Sequence, residues 1–164
     1  MKKLILCGVL AIAAVSPRSG LARDMQGRLG IGYNSQFVNS VVDSRVPGVS
    51  VKYGLTRDLA VEAIAGTRTA TPTNTVTGLK LFKNVFYETN LNFYLSLGGA
   101  IVSANRVSGA EFMGTLGAEF FIPGLESVGF SFETGGALHN LSNSSMSFRT
   151  VGASFIDAGM HFYF

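Results

Sequence analysis

Few residues in this chain are of types that do chemistry, and their spacing is uninviting. A hydroxyl nucleophile needs a base within hydrogen-bond reach and a third group to orient that base. The segment His139-Asn140-Leu141-Ser142-Asn143 supplies the first two, but on a strand an odd spacing turns them to opposite faces, and no carboxylate follows until Asp157. This segment reads instead as a polar loop. His161, the other histidine, lies in an alternating stretch and reads as a turn-end residue of its polar face. Two histidines and Cys7, the one cysteine, give a metal site little to draw on. The glycines alternate along strand-like segments and precede no helix, so no phosphate-cradling loop is read. The remaining candidates are charges: Glu62, Glu111, Glu119, Glu133 and Asp157, with Arg28 and Lys52, and with Lys80 and Arg149 as further bases. Buried charges need partners. The expectation is an interior charge network that plugs a closed structure, with a solute channel as the alternative. No catalytic, cofactor or metal residue is assigned.

The elements that must position these charges have a period of two. Leu29, Ile31 and Tyr33 alternate with Arg28, Gly30 and Gly32; Val49, Val51 and Tyr53 alternate with Ser50, Lys52 and Gly54. Leu59 to Gly66, Leu91 to Gly98, Glu111 to Phe120, Ser127 to Leu138 and Phe155 to Phe164 repeat the pattern. In Thr77 to Tyr87, Lys83 shares parity with Leu79 and Leu81, which predicts a β-bulge near Lys83 and Asn84. The count reaches eight strands.

The N-terminus is of another kind. Met1-Lys2-Lys3, an apolar run from Leu4 to Val15 and the small residues Gly20-Leu21-Ala22 read as a Sec-type signal peptide over 1–22, leaving 23–164 as one domain. The run is shorter than the roughly 20 apolar residues of a spanning helix. Cys7 follows Leu6 and the apolar run continues past it, so lipidation is not expected. Cleavage after Ala22 removes Lys2, Lys3 and Arg18. Ten basic residues then face ten acidic ones, and the formal charge of +3 vanishes. No basic footprint for nucleic acid remains.

Connections and face contents fix the direction. The stretches 34–46, 68–76, 102–109 and 139–147 read as longer polar connections, whereas 56–58, 88–90 and 122–126 are short; long and short alternate, as in outer-membrane barrels with short turns on the periplasmic side. A soluble barrel would turn its apolar face inward. Here the polar face carries the glycines and charges that suit a narrow interior, while the other face is nearly uncharged, as lipid requires. Closure follows because hydrocarbon cannot satisfy an open sheet edge. The fold class expected is all-β, a closed antiparallel up-and-down transmembrane β-barrel of about eight strands. Tyr53, Phe93, Tyr94, Phe120, Phe121, Phe130, Tyr163 and Phe164 gather near the short turns, where several would form an interfacial girdle, although Tyr94 and Phe121 read as inward.

The signal peptide, the amphipathic strands and the terminal Met160-His161-Phe162-Tyr163-Phe164 resemble the small eight-stranded outer-membrane β-barrel families of Gram-negative bacteria, of the OmpA, OmpX and OmpW kind. That resemblance implies that Phe164, Phe162 and Met160, with Ala158 and Ile156, form an insertion signal read by the barrel-assembly machinery. It also implies contact with outer-membrane lipid and lipopolysaccharide. The sequence ends at Phe164, so the peptidoglycan-binding half of OmpA-type proteins is expected to be absent. The segment from His139 also bears a faint similarity to the His-x-Ser-Asn segment of outer-membrane lipid A deacylases, with one residue too many. The expected function is that of a non-enzymatic, monomeric outer-membrane protein, structural or acting through its outer loops, where Phe37 is the one conspicuous apolar residue. A small solute pore is the alternative and a lipid A-modifying enzyme the third reading.

Overall fold

The structure, a computed structural model, describes residues 24–34, 38–39, 44–45, 48–69, 73–104, 107–141, 146–151 and 156–164. The expectations for the signal peptide at 1–22, for Cys7, Phe37 and Ser142 lie outside the described residues. The described elements are β1 Leu29–Asn34, β2 Val38–Asn39, β3 Ser44–Arg45, β4 Gly48–Gly54, β5 Leu59–Arg68, β6 Asn74–Glu88, β7 Leu91–Ala104, β8 Val107–Ile122, β9 Leu125–Leu141, β10 Ser147–Thr150 and β11 Asp157–Tyr163. Neighbours pair antiparallel from β11 through β1, β4, β5, β6, β7 and β8 to β9, and β9 pairs with β11 again, so the sheet closes on itself. β10 and β11 share one edge of β9 and together make a single wall strand. The result is a closed, antiparallel, eight-stranded barrel. β2 and β3 pair apart from it as a short ribbon, with β2 near β6 and β7 across the barrel from β1.

Local chemistry explains the turns. Pro123-Gly124 joins β8 to β9, with Gly124 at φ 83°, the left-handed conformation that the third residue of a type II turn needs. Between β6 and β7, Asn90 takes φ 66°, which asparagine tolerates better than most residues. At the β4–β5 turn the Thr56 hydroxyl accepts from the amides of Asp58 and Leu59, at 3.2 and 3.0 Å.

The irregularity expected in β6 near Lys83 and Asn84 is found, between Asn84 and Phe86, while two other expectations need correction. Before it, Lys83 keeps the outward parity of Leu81, half-buried and 3.4 Å from Asp58 of the neighbouring turn. The stretch 102–109 is not a long connection: β7 runs to Ala104 and β8 starts at Val107. Nor is the segment from His139 all loop. β9 continues to Leu141, and Ser147–Thr150 forms a further strand that the polar composition of 139–147 concealed.

The sheet is inverted relative to a water-soluble fold. Tyr94, Lys80, Phe121, His139, His161, Glu62 and Glu111 are among the largest fully buried side chains, whereas Leu79, Ile101, Phe112, Phe132 and Phe148 stand exposed. Inward glycines make room for this filling. A Cβ on Gly117 would come within 2.7 Å of the Tyr94 ring and the Glu133 side chain, and one on Gly32 would lie 2.0 Å from the Met160 carbonyl oxygen.

Candidate functional site inside the barrel

The register stacks the charged positions of successive strands. Lys52 faces Glu62 across β4 and β5, and Glu62 faces Lys80 across β5 and β6. The strong pairs, however, cross the interior. Lys52 Nζ donates to Glu119 at 2.9 Å, and Lys80 Nζ donates to both oxygens of Glu133 at 2.9 and 2.7 Å. Glu133 also accepts from the Tyr94 hydroxyl at 2.8 Å and the Thr115 hydroxyl at 2.5 Å, and Thr115 meets Ser96. Four donor contacts on one carboxylate replace most of its lost hydration. Aromatic faces complete the layer: Lys52 Nζ lies 4.4 Å from the Phe82 ring centroid and 5.3 Å from that of Tyr94, and Lys80 lies 4.8 Å from Phe82.

Above this layer, on the side away from the short turns, Ile64, Val76, Ala100, Val102, Met113, Ala137 and Val151 form a buried apolar cluster. A second charged group lies beside it. Arg149 of β10 donates to Glu111 at 2.6 Å and to His139, whose Nδ1 is 3.5 Å from Glu111. At the opposite end Met25, Phe121 and Tyr163 cluster in the mouth, and the Tyr163 hydroxyl donates to Glu119. A turn holds Met25 there: Arg28 N donates to the Met25 carbonyl, and Gly27, at φ 74°, donates to the Gly54 carbonyl.

The candidate residues thus fall into distinct groups. Lys52 joins Glu119, and Lys80 joins Glu133; Glu111 joins Arg149. Asp157 is buried and sits opposite Glu133 in the β9–β11 register. Arg28 stands apart, half-buried at the turn-end mouth, with its guanidinium 5.7 Å from the Tyr163 ring centroid. Tyr163 is therefore no part of an outer girdle. His161 is not at the periphery either: it is buried, with Nε2 2.8 Å from the Ser50 hydroxyl and 3.2 Å from Glu62, which also accepts from Asn34. The sequence reading missed Ser50, Asn34, Tyr94 and Thr115 as members. Their inward parity was readable, but the partner each one meets is set by the barrel's stagger.

The Ser50–His161–Glu62 grouping has the residue types of a hydrolase triad without its connectivity. Serine and carboxylate share one ring nitrogen, and Nδ1, which an orienting acid would hold, has no hydrogen-bond partner among the described residues. Ser50 is itself fully buried. Among the described residues no group of three or more His, Cys, Asp or Glu is arranged to hold a metal ion. Met160, Phe162 and Phe164 lie on the exposed face, Phe162 and Phe164 edge to face with centroids 5.0 Å apart. The Phe164 amide donates to the Leu29 carbonyl at 2.9 Å, next to the seam where β11 meets β1.

No protein-family model and no curated protein matches this chain. Among solved structures it is similar to the crystal structure of the N-terminal β-barrel domain of Pseudomonas aeruginosa OprF, with a TM-score of 0.60 and 16% sequence identity, covering 85% of this chain and 98% of that one. At that identity the likeness is one of fold.

Proposed function

We propose that this chain is an integral outer-membrane β-barrel protein, exported through a signal peptide at 1–22 and inserted as a monomer. Its role is structural or lies in surface interaction through the loops away from the short turns. The observation that carries this reading is the inverted polarity of a closed sheet: charges are buried and paired inside, and large apolar side chains stand exposed around the outside. In water that arrangement would expose a very large apolar patch. In hydrocarbon it satisfies both demands, since β11 meets β1 to close the sheet and, among the described residues, the belt carries no charge at mid-height. The similarity in fold to the OprF barrel domain supports the architecture.

We read the protein as non-catalytic. The histidines are held by Arg149 and Glu111 in one case and by Ser50 and Glu62 in the other, deep in the wall or core. The filled interior argues for a plug over a pore, because side chains of the charged and apolar layers occupy the space a solute would need. Membrane lipid and lipopolysaccharide are the partners of the belt. The barrel-assembly machinery is the partner of the terminal strand, through Phe164, Phe162 and Met160.

Cell fractionation tests the placement. The protein is expected with outer membranes, resisting extraction by alkaline carbonate; recovery as a soluble periplasmic species without detergent would overturn it. Removing Phe164 is expected to lower the inserted fraction sharply while expression stays constant, and undiminished insertion would count against the terminal signal. In planar bilayers the plug reading expects no discrete single-channel steps.

A further inference from the structure

At the end of the barrel away from the short turns, two nitrogen bases compete for one carboxylate. Glu111 of β8 and His139 of β9 face each other in register, and Ser147–Thr150 of β10 lines the other edge of β9 at the same level. From β10, Arg149 reaches inward. Its Nη2 donates to Glu111 Oε1 at 2.6 Å and its Nε donates to His139 Nε2. Glu111 and His139 are buried, whereas the Arg149 side chain is 21% exposed.

These donor roles fix the protonation of the ring. A guanidinium has only N–H groups to offer and stays charged in a protein. His139 Nε2 therefore accepts, so the ring is neutral and carries its proton on Nδ1. That atom lies 3.5 Å from Glu111 Oε2, which has no hydrogen-bond partner among the described residues. A second proton on the ring has one place to go, Nε2, where Arg149 already donates. Two donors cannot share that contact, and two cations repel across it. Glu111 Oε2 is placed to take the charged ring instead. The charged groups facing His139 are thus Glu111 from β8 and Arg149 from β10; Glu133, the next inward charge along β9, lies beyond Gly135 and Ala137. Beneath them β6, β7 and β8 contribute Val76, Val102 and Met113, which do not titrate.

β10 depends on this hook. It pairs with β9 alone among the described strands, through four residues, and its other buried anchor is Val151, whose amide donates to the Gly135 carbonyl at 2.9 Å. So short a pairing is marginal without side-chain anchors.

We propose that β10 is an acid-released strap: protonation of His139 makes Glu111 exchange Arg149 for the imidazolium, the guanidinium turns out to water, and β10 loosens. Charge balances through the exchange, since Glu111 keeps one cation and water hydrates the other. The exchange itself follows from the fold; that it faces the cell exterior rests on the membrane reading above. An acid medium then alters the surface presented at the outer end of the barrel.

A nitroxide on Ser147→Cys reports β10, and one on Ser108→Cys reports the neighbouring end of β8 as a control; both positions are exposed. Both labels are read in a Cys7→Ser background in phosphatidylcholine vesicles. Between about pH 7.5 and about pH 4, a span that charges a histidine, the mobile fraction at Ser147→Cys is expected to rise several-fold and reversibly while that at Ser108→Cys holds. His139→Gln keeps an acceptor for Arg149 and takes up no proton, so its β10 stays bound throughout. Arg149→Gln removes the hook, so its β10 is mobile throughout. An acid response that survives His139→Gln overturns the proposal, as does no response with His139 in place, or an equal response at Ser108→Cys. Nitrogen spectra of the histidines in the unaltered chain decide the matter even where a substituted chain does not fold. At neutral pH one ring is expected to carry its proton on Nδ1, as His139 does, and the other on Nε2, which His161 turns to Glu62. Two rings protonated on Nε2 overturn the exchange. Flotation is read separately: a chain that stays out of the vesicles ends the membrane reading, and the same spectra in micelles still decide the exchange.

Discussion

On β8, Glu111 and Glu119 are 0% and 3% exposed, while Phe112 and Phe120, one position along in each case, are 61% and 41% exposed. One strand thus serves two faces under opposite rules. Inside, a charge is tolerated because others complete its shell: Glu119 has Lys52 and Tyr163, and Glu133 has Lys80, Tyr94 and Thr115. Outside, no partner is at hand and charges retreat to the rims, where Lys83 and Asp58 pair at 3.4 Å. The interior draws its specificity from named partners, whereas the exterior is specified mainly by hydropathy. Substitutions inside should therefore be costly for what they orphan, and those outside for what they introduce.

The largest effect is expected from Glu133→Ala, which leaves Lys80 buried without its carboxylate. Unfolding in detergent micelles followed by far-UV circular dichroism should show a loss of about 3–5 kcal/mol. A loss below that of the exterior variant would break the contrast. Leu116→Arg places a charge in the middle of the exposed apolar face of β8, and the expected cost in lipid vesicles is about 2–4 kcal/mol. The same change should cost far less in denaturant-free buffer if the exterior faced water. Tyr163→Phe removes one charge-assisted hydrogen bond and leaves Lys52 on Glu119, for about 1.5–3 kcal/mol by the same unfolding assay. Lys83→Met, at a half-buried rim pair, is expected to shift stability by no more than about 1 kcal/mol. An effect rivalling that of Glu133→Ala would mean that the rim pair is structurally central.

Much of this contrast was legible along the chain. Parity alone put Ile31, Phe112, Phe132 and Met160 on one face and Lys52, Glu62, Glu119 and Glu133 on the other, because a strand's period of two leaves no third option. What parity cannot give is which inward residues meet. Lys52 finds Glu119 and Lys80 finds Glu133 from strands far apart in sequence, through the stagger of the closed sheet. The His139 region shows a subtler failure. Leu138 outward implied His139 inward, but the following Asn and Ser residues favoured a loop, and only the observed pairing of Ser147–Thr150 with β9 brings Arg149 to Glu111. The bulge in β6 was legible from Lys83, where alternation fails, and the turn contacts decide where the extra residue sits. Asn84 N donates to the Asp58 carbonyl, and Tyr87 donates to the Arg57 carbonyl at 3.0 Å, fixing the chain on either side of Val85.

On the proposed reading the exposed apolar face is matched to lipid and the charged face to a sealed interior. Refolding the purified chain by dilution from urea, with and without phosphatidylcholine vesicles, separates this reading from a water-soluble fold. Circular dichroism and limited proteolysis are expected to report a β-rich, protease-resistant product that floats with the vesicles, and aggregation in their absence. A monodisperse, folded, protease-resistant species in detergent-free buffer would overturn that reading.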